Sequence, residues 1–298
     1  MQKVSILHLI TTAKNASPFD VNMAYDAGFD KIMPYTNVTL DDVVALTQDA
    51  MFSRSPSGVK REALFFGGRD IHLALSMQEH AKNAMFAPFE ISTFADPSGA
   101  FTTAAAMLAK VVRVVKTLNN QKIVIFGAGA VGSTAALIAA KNGAIVQMAA
   151  YRNVASMQAY CNKMFDAFGV NLQAVDASTD TAKSAVLYKA DVALCAGPAG
   201  VQVLQKAIYA DSLMLKVLAD VNAVAPLGIA GLDVMADGEQ LGNAMVGFGA
   251  LSIGQLKYQT QQNMLKSLLG IKNDMEKPLH LAHNHAFETA CSLQAQSL

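Results

Sequence analysis

The chain has 298 residues, which at about 150 per domain points to roughly two domains. Charged residues make up 15%, against a usual share of about 25%, and the apolar class reaches 52%, so a disordered or low-complexity chain is excluded. The 23 basic and 23 acidic residues cancel, which leaves no global field to attract nucleic acid or an anionic membrane surface.

No window of about 18 residues escapes interruption by charge, amide or proline; the richest, 102–116, is broken by Lys110 and Arg113. The apolar start, reaching only to Lys14, is too short for a secretory signal, so the chain reads as cytoplasmic. Cys161, Cys195 and Cys291 are too scattered for a disulfide framework or a zinc knuckle and read as small core residues.

In chain order, short apolar runs at 4–10 and 63–66, punctuated by Ser17-Pro18, Gly67-Gly68 and Pro88, predict a smaller, irregular α/β domain over 1–104. Ser98 or Thr102 then starts a helix that Asn119-Asn120 ends. Residues 122–126 have the β-branched run of a fully buried parallel strand. Further strands at 145–149, 191–195 and 215–219 alternate with helices at 133–142, 156–168 and 181–189. That alternation predicts a doubly wound parallel sheet over 105–262. Leu265, Leu268 and Leu269 fall on one helical face, and helices over 263–298 are expected to pack back and complete the first domain.

The sharpest motif is Gly127-Ala128-Gly129-Ala130-Val131-Gly132, placed between the strand at 122–126 and a helix. In that context Gly127 makes the tight turn, Gly129 lets backbone approach a pyrophosphate, and Gly132 lets helix pack on strand. The helix N-terminus offers N–H groups and a positive dipole end to the anion. The fold expected is therefore a Rossmann-type sheet plus the smaller N-terminal domain, with a cleft between them. An NAD-selective site places a carboxylate at the end of the second strand. Here that place reads Tyr151-Arg152-Asn153, so Arg152 is expected to pair with a 2′-phosphate and Tyr151 to flank adenine, with Asn153 able to bond a ribose hydroxyl. Two further loops leave strand ends: Ala196-Gly197-Pro198, a candidate wall for the nicotinamide ribose, and the loop bearing Asn222.

The runs Ser17-Pro18-Phe19-Asp20-Val21-Asn22, Phe94-Ala95-Asp96-Pro97-Ser98-Gly99, Asp220-Val221-Asn222-Ala223-Val224 and Lys257-Tyr258-Gln259-Thr260-Gln261 resemble bacterial NAD(P)-dependent methylene-tetrahydromethanopterin dehydrogenases. The resemblance covers nearly the whole chain except the last twenty-odd residues. It implies an enzyme of one-carbon metabolism in methylotrophs, a tetrahydromethanopterin-type pterin as substrate and NADP or NAD as a dissociable cosubstrate. It also implies no metal, no flavin and a homo-oligomer.

Such a reaction moves hydride from a carbon between two nitrogens to nicotinamide C4, and the cation formed is delocalised, so no proton leaves with the hydride. The protein's task is alignment and water exclusion. Asp20 and Asp96 are candidates for holding the pterin or stabilising the cation, although Asp96 also suits a helix cap. Thr102 and Thr103 are candidates for the pterin or the nicotinamide amide, or for the cap. Lys257 is a candidate for orienting a pterin acceptor, since an ammonium beside the nascent cation opposes the reaction. Arg54, Lys60 and Arg61 are candidate anchors for an acidic substrate tail or a solvated face, and His280, His283 and His285 read as a helix face rather than a zinc site. Two other enzymes fit the same cofactor half, an NADP-linked methylene-tetrahydrofolate dehydrogenase and a dihydromethanopterin reductase. A non-catalytic NADPH sensor is the alternative from another class.

Overall fold

The structure is a computed structural model that describes residues 4–242, 244–269 and 278–296. The remaining positions, including 270–277 and 297–298 of the expected C-terminal helices, lie outside the described residues. The chain divides into two compact units: one holds residues up to 102 together with 258–289, the other 103–257 together with those from 290 on.

The first unit is built on a parallel sheet of β1 (Ile6–Ile10), β2 (Lys31–Tyr35), β3 (Glu62–Phe66), β4 (Ser92–Ala95) and a short strand near the C-terminus, His280–Leu281. Their order is His280–Leu281, β4, β3, β1, β2. Strands β3 and β4 are buried at every residue, as expected for central strands covered on both faces. The edge strand β2 carries Pro34, where the missing N–H removes no ladder bond. The C-terminal segment is thus not helical throughout: Thr93 N donates to the Leu279 carbonyl at 2.7 Å, and two residues join the sheet. Two residues show no periodicity, so the pattern of apolar positions carries no signal for this strand.

The second unit follows the expected alternation. Its strands are β5 (Lys122–Phe126), β6 (Ile145–Ala150), β7 (Leu172–Asp176), β8 (Val192–Cys195), β9 (Val217–Asp220), β10 (Asp237–Gln240) and β11 (Val246–Phe248), in the order β10-β11-β9-β8-β5-β6-β7. All pairs are parallel except β10 with β11. Leaving β10 aside, β7, β6, β5, β8, β9 and β11 run in the classical dinucleotide-binding order, with the reversal between β5 and β8. β7 and the β10–β11 pair are additions to the sequence reading. β7 has one exposed and two intermediate positions between its ends, and β10 is mostly exposed; neither offers a continuous buried apolar run.

The helix Ala100–Val115 is amphipathic, and with the turn Pro97–Gly99 before it forms a 19-residue stretch long and apolar enough by composition to cross a membrane. Its richest window is 67% buried within the fold, so it is a core helix here. Lys110 and Arg113, the two charges that interrupt it, reach Asp237 at 2.8 and 3.1 Å and fasten the β10 edge to this helix.

Candidate dinucleotide and substrate sites

The glycine turn lies where the strand order reverses, and each glycine faces a different constraint. Gly127 has φ +111°, and a Cβ there would come within 2.3 Å of the Ala196 carbonyl oxygen, so the ends of β5 and β8 abut with no room for a side chain. A Cβ on Gly132 would lie 2.0 Å from the Gly127 carbonyl oxygen, which is the close helix–strand approach. Gly129 has nothing within 4 Å of that position, and it forms the N-cap of the helix Ala130–Lys141 without a capping side chain. A cradle closed at Gly127 and Gly132 and open at Gly129 fits a pyrophosphate set against the helix N-terminus. Val131 and Ala130 begin that helix, and Ala128 is held from behind where Ser133 Oγ donates to its carbonyl at 3.0 Å.

Beside the turn is a cavity of about 530 Å³, lined by Gly127, Ala128, Tyr151, Arg152, Gly197 and Pro198 among others. None of its lining residues is acidic. Arg152 is exposed and makes no ion pair among the described residues, and Tyr151 is 67% exposed at the same end of β6. This is a cation without a carboxylate to satisfy it, an arrangement suited to a 2′-phosphate. Asn153, expected to bond a ribose hydroxyl, also caps the helix Val154–Phe168, its Oδ1 accepting from Ser156 N at 2.9 Å.

Asn222 is buried and binds backbone on both loops at this edge. Its Oδ1 accepts from Gly200 N at 3.2 Å and Val224 N at 2.9 Å, and its Nδ2 donates to the Pro226 carbonyl at 3.1 Å. It therefore ties the 196–200 loop to the 220–228 loop. Asp220, at the end of β9, supports the same loop by accepting from Asn222 N at 2.9 Å and Ile229 N at 3.0 Å. Burial holds the Asp220 carboxyl above its usual range, and burial together with the Asp220 charge pushes the Cys195 thiol up to about 12. A side chain at Gly228 would strike both, with Cys195 Sγ at 2.6 Å and Asp220 Oδ1 at 2.8 Å. The Asp220–Asn222 clamp escaped the sequence reading as a pair. Two polar residues at i and i+2 just past an apolar strand are the signal for such a turn.

In the first unit, Asp20 is buried in the first turn of the helix Pro18–Ala27, which Ser17 caps by accepting from Asp20 N at 3.3 Å. Its Oδ2 is 3.7 Å from where a Gly67 side chain would begin, which sets the carboxylate at the carboxyl edge of the sheet, after β3. Asp96 is fully buried, and Oδ1 accepts from Phe101 N at 2.9 Å and Thr102 N at 3.2 Å while Oδ2 accepts from the Thr102 hydroxyl at 2.7 Å. Of the roles considered for Asp96 and Thr102, these contacts perform the helix cap. Thr103 is partly buried on the next position of that helix. Lys257 is buried in the helix Ala250–Ser267. The start of that helix is fixed by Ser252, whose hydroxyl donates to the Ala236 carbonyl at 2.7 Å, and by Gly249, where a Cβ would lie 2.1 Å from the Asp233 carbonyl oxygen.

Arg54, one of the candidate anchors, is bound within the fold. Its Nε is 2.7 Å from the buried Glu62 carboxylate, which also meets His8 at 3.0 Å, because a carboxylate starting a buried strand requires partners. Arg61 approaches Asp30 at 4.0 Å. The three C-terminal histidines turn to separate partners: His280 to the Thr93 hydroxyl at 3.1 Å, His283 edge-on to Phe101, and His285 to the Ala282 N–H at 3.3 Å.

Residues 18–98 match the family model described as methylene-tetrahydromethanopterin dehydrogenase, N-terminal. The chain is 44% identical over 296 residues to an NAD(P)-dependent methylenetetrahydromethanopterin dehydrogenase of Methylorubrum extorquens, covering 97% of this chain and 98% of that one. It is also 32% identical over 265 residues to the bifunctional protein MdtA of the same organism, covering 88% and 91%. In fold it is similar to quinate dehydrogenase from Corynebacterium glutamicum, with a TM-score of 0.52 at 15% identity over 97% and 99% of the two chains. With that identity running through both units, the chain belongs to the family of bacterial NAD(P)-dependent methylene-tetrahydromethanopterin dehydrogenases.

Proposed function

We propose that this chain oxidises 5,10-methylene-tetrahydromethanopterin to the 5,10-methenyl form with NAD(P)+, a step in the oxidation of formaldehyde. The observation that carries the reading is 44% identity over 97% of the chain to a dehydrogenase of that name, in a chain whose glycine turn is shaped as a dinucleotide cradle. When bound, NAD(P)+ supplies the nicotinamide C4 that accepts the hydride.

The chain's own residues bind, orient and exclude water. Gly127 to Gly132 hold the pyrophosphate by backbone, Arg152 the 2′-phosphate, and Tyr151 the adenine face. Ala196, Gly197 and Pro198 form the wall beside the nicotinamide ribose, and Asn222 keeps that wall in place. Asp20 stabilises the developing cation or holds the pterin amino group; Lys257 and Thr103 orient pterin acceptors. Asp96 and Thr102 act on the pterin through the helix they cap. The dinucleotide contacts all come from the second unit. The protein works in the cytoplasm as a homo-oligomer. Methenyl and reduced-dinucleotide absorbance with methylene-tetrahydromethanopterin, and in parallel with methylene-tetrahydrofolate, tests the reading. Turnover with the first is expected, preference for the folate reassigns the substrate, and dinucleotide binding without turnover of either defeats the enzyme.

A further inference from the structure

Lys183 is a cation that the dinucleotide contacts above leave unused. It lies in the helix Asp180–Leu187 with only 9% of its surface exposed, near an N-terminus whose dipole disfavours positive charge. Two acceptors hold its ammonium, the Asp180 carboxylate at 3.3 Å and the Val203 carbonyl at 2.9 Å. An ammonium has three hydrogens. Among the described residues the third has no acceptor, yet Lys183 and Val203 both line the cavity beside the glycine turn.

A dinucleotide seated by the glycine turn puts its pyrophosphate at Gly127 to Gly132 and its adenosine ribose by Arg152. The purine is joined through N9, so it directs the opposite edge, N1 and the group on C6, away from those residues. Lys183 and Val203 come from other places in the topology, the helix after β7 and the loop after β8. In adenine that far edge carries an acceptor at N1 and a donor at the amino group. A 6-oxopurine carries the reverse, a donor at N1 and an acceptor at O6.

We propose that Lys183 reads the base. Its third ammonium hydrogen donates to adenine N1 while the second lone pair of the Val203 carbonyl accepts from the 6-amino group, so the site selects adenine dinucleotides over hypoxanthine ones. Asp180 and Val203 keep the ammonium from swinging to serve O6 instead. The inference rests on the dinucleotide reading given above and adds a specificity residue to it.

The test compares NADP+ with nicotinamide hypoxanthine dinucleotide phosphate, by calorimetric binding and by turnover with methylene-tetrahydromethanopterin, in wild type, Lys183→Met and Lys183→Gln. Wild type should bind NADP+ roughly ten- to hundredfold more tightly, the worth of one charge-assisted hydrogen bond. Lys183→Met should bring the ratio within about threefold, chiefly by weakening NADP+, since no donor then faces N1. Lys183→Gln, whose amide both donates and accepts, should narrow it too, and it decides the matter with the wild-type ratio if the methionine variant does not fold. Equal binding of both dinucleotides by wild type, or a full ratio retained in the variants, overturns the proposal. Selective binding without pterin turnover upholds base reading while defeating the dehydrogenase. Binding of neither dinucleotide defeats both.

Discussion

At the carboxyl edge of the seven-stranded sheet the chain presents backbone: three glycines and a helix start with no side-chain cap, beside an arginine that makes no ion pair among the described residues. At the same edge of the five-stranded sheet it presents buried carboxylates, Asp20 and Asp96, set among helix caps and glycine turns. The first edge recognises an anion by what it leaves out, because a missing Cβ and a missing cap are what admit a phosphate. The second works with side chains that also hold the fold together. A substitution at the first edge can therefore separate binding from stability, whereas at the second the two are entangled.

The glycines give the widest separation. Gly132→Ala forces a Cβ onto a carbonyl oxygen at 2.0 Å and should cost about 3 kcal/mol or more in a denaturant melt while abolishing dinucleotide binding. Gly129→Ala has nothing within 4 Å to strike, so it should melt as wild type does yet bind NAD(P) roughly a hundredfold more weakly. A Gly129→Ala protein with normal affinity would remove the pyrophosphate from this turn.

At the other edge, Asp96→Ala leaves two backbone N–H groups without this acceptor and the Thr102 hydroxyl with only the longer bond to the Gly99 carbonyl, and should lose about 2–4 kcal/mol, read as a lower denaturation midpoint. Asp20→Asn should instead lower turnover roughly tenfold to a hundredfold with NADP affinity intact. An unchanged turnover would take Asp20 out of the reaction. Arg152→Ala should raise the KM for NADP about tenfold and leave that for NAD nearly alone; equal effects on both would end the 2′-phosphate assignment.

The smallest expected effect concerns the thiols. Cys195, pushed up to about 12 by burial and by Asp220, and Cys291, pushed up to about 11 by burial, have almost no thiolate at pH 8. Cys161 is raised as well, again by burial. A disulfide-exchange reagent at pH 8 should label the native protein negligibly and all three cysteines after denaturation. Rapid labelling of Cys195 in the native state would mean that the Asp220 loop opens.

Much of the second unit was legible in advance because its signals are local. A β-branched run, a glycine spacing and a helix start are read within a dozen residues, and they placed β5, the turn and the helix after it. β7 was missed because its partly exposed pattern lacks an apolar run. The His280–Leu281 strand was missed because two residues have no period, and its partner β4 lies almost two hundred positions earlier in the chain. Arg54 on Glu62 and Lys183 on Val203, eight and twenty positions apart, were hidden for another reason, since each pairing follows no helical or strand period and is set by how the fold places the two residues.

The amino-acid sequence by itself determined the alternation of strands and helices, the position of the glycine turn and the absence of a carboxylate after β6, because each depends on residue type at short spacing. Tertiary structure decided which polar residues were committed to the fold. It tied up Asp96, Asn153 and Asn222 in backbone contacts, left Arg152 without an ion pair among the described residues, and brought Lys183 to the cavity wall. Those outcomes depend on which strand ends are neighbours, and the strand order is set by burial of the whole sheet rather than by any one segment.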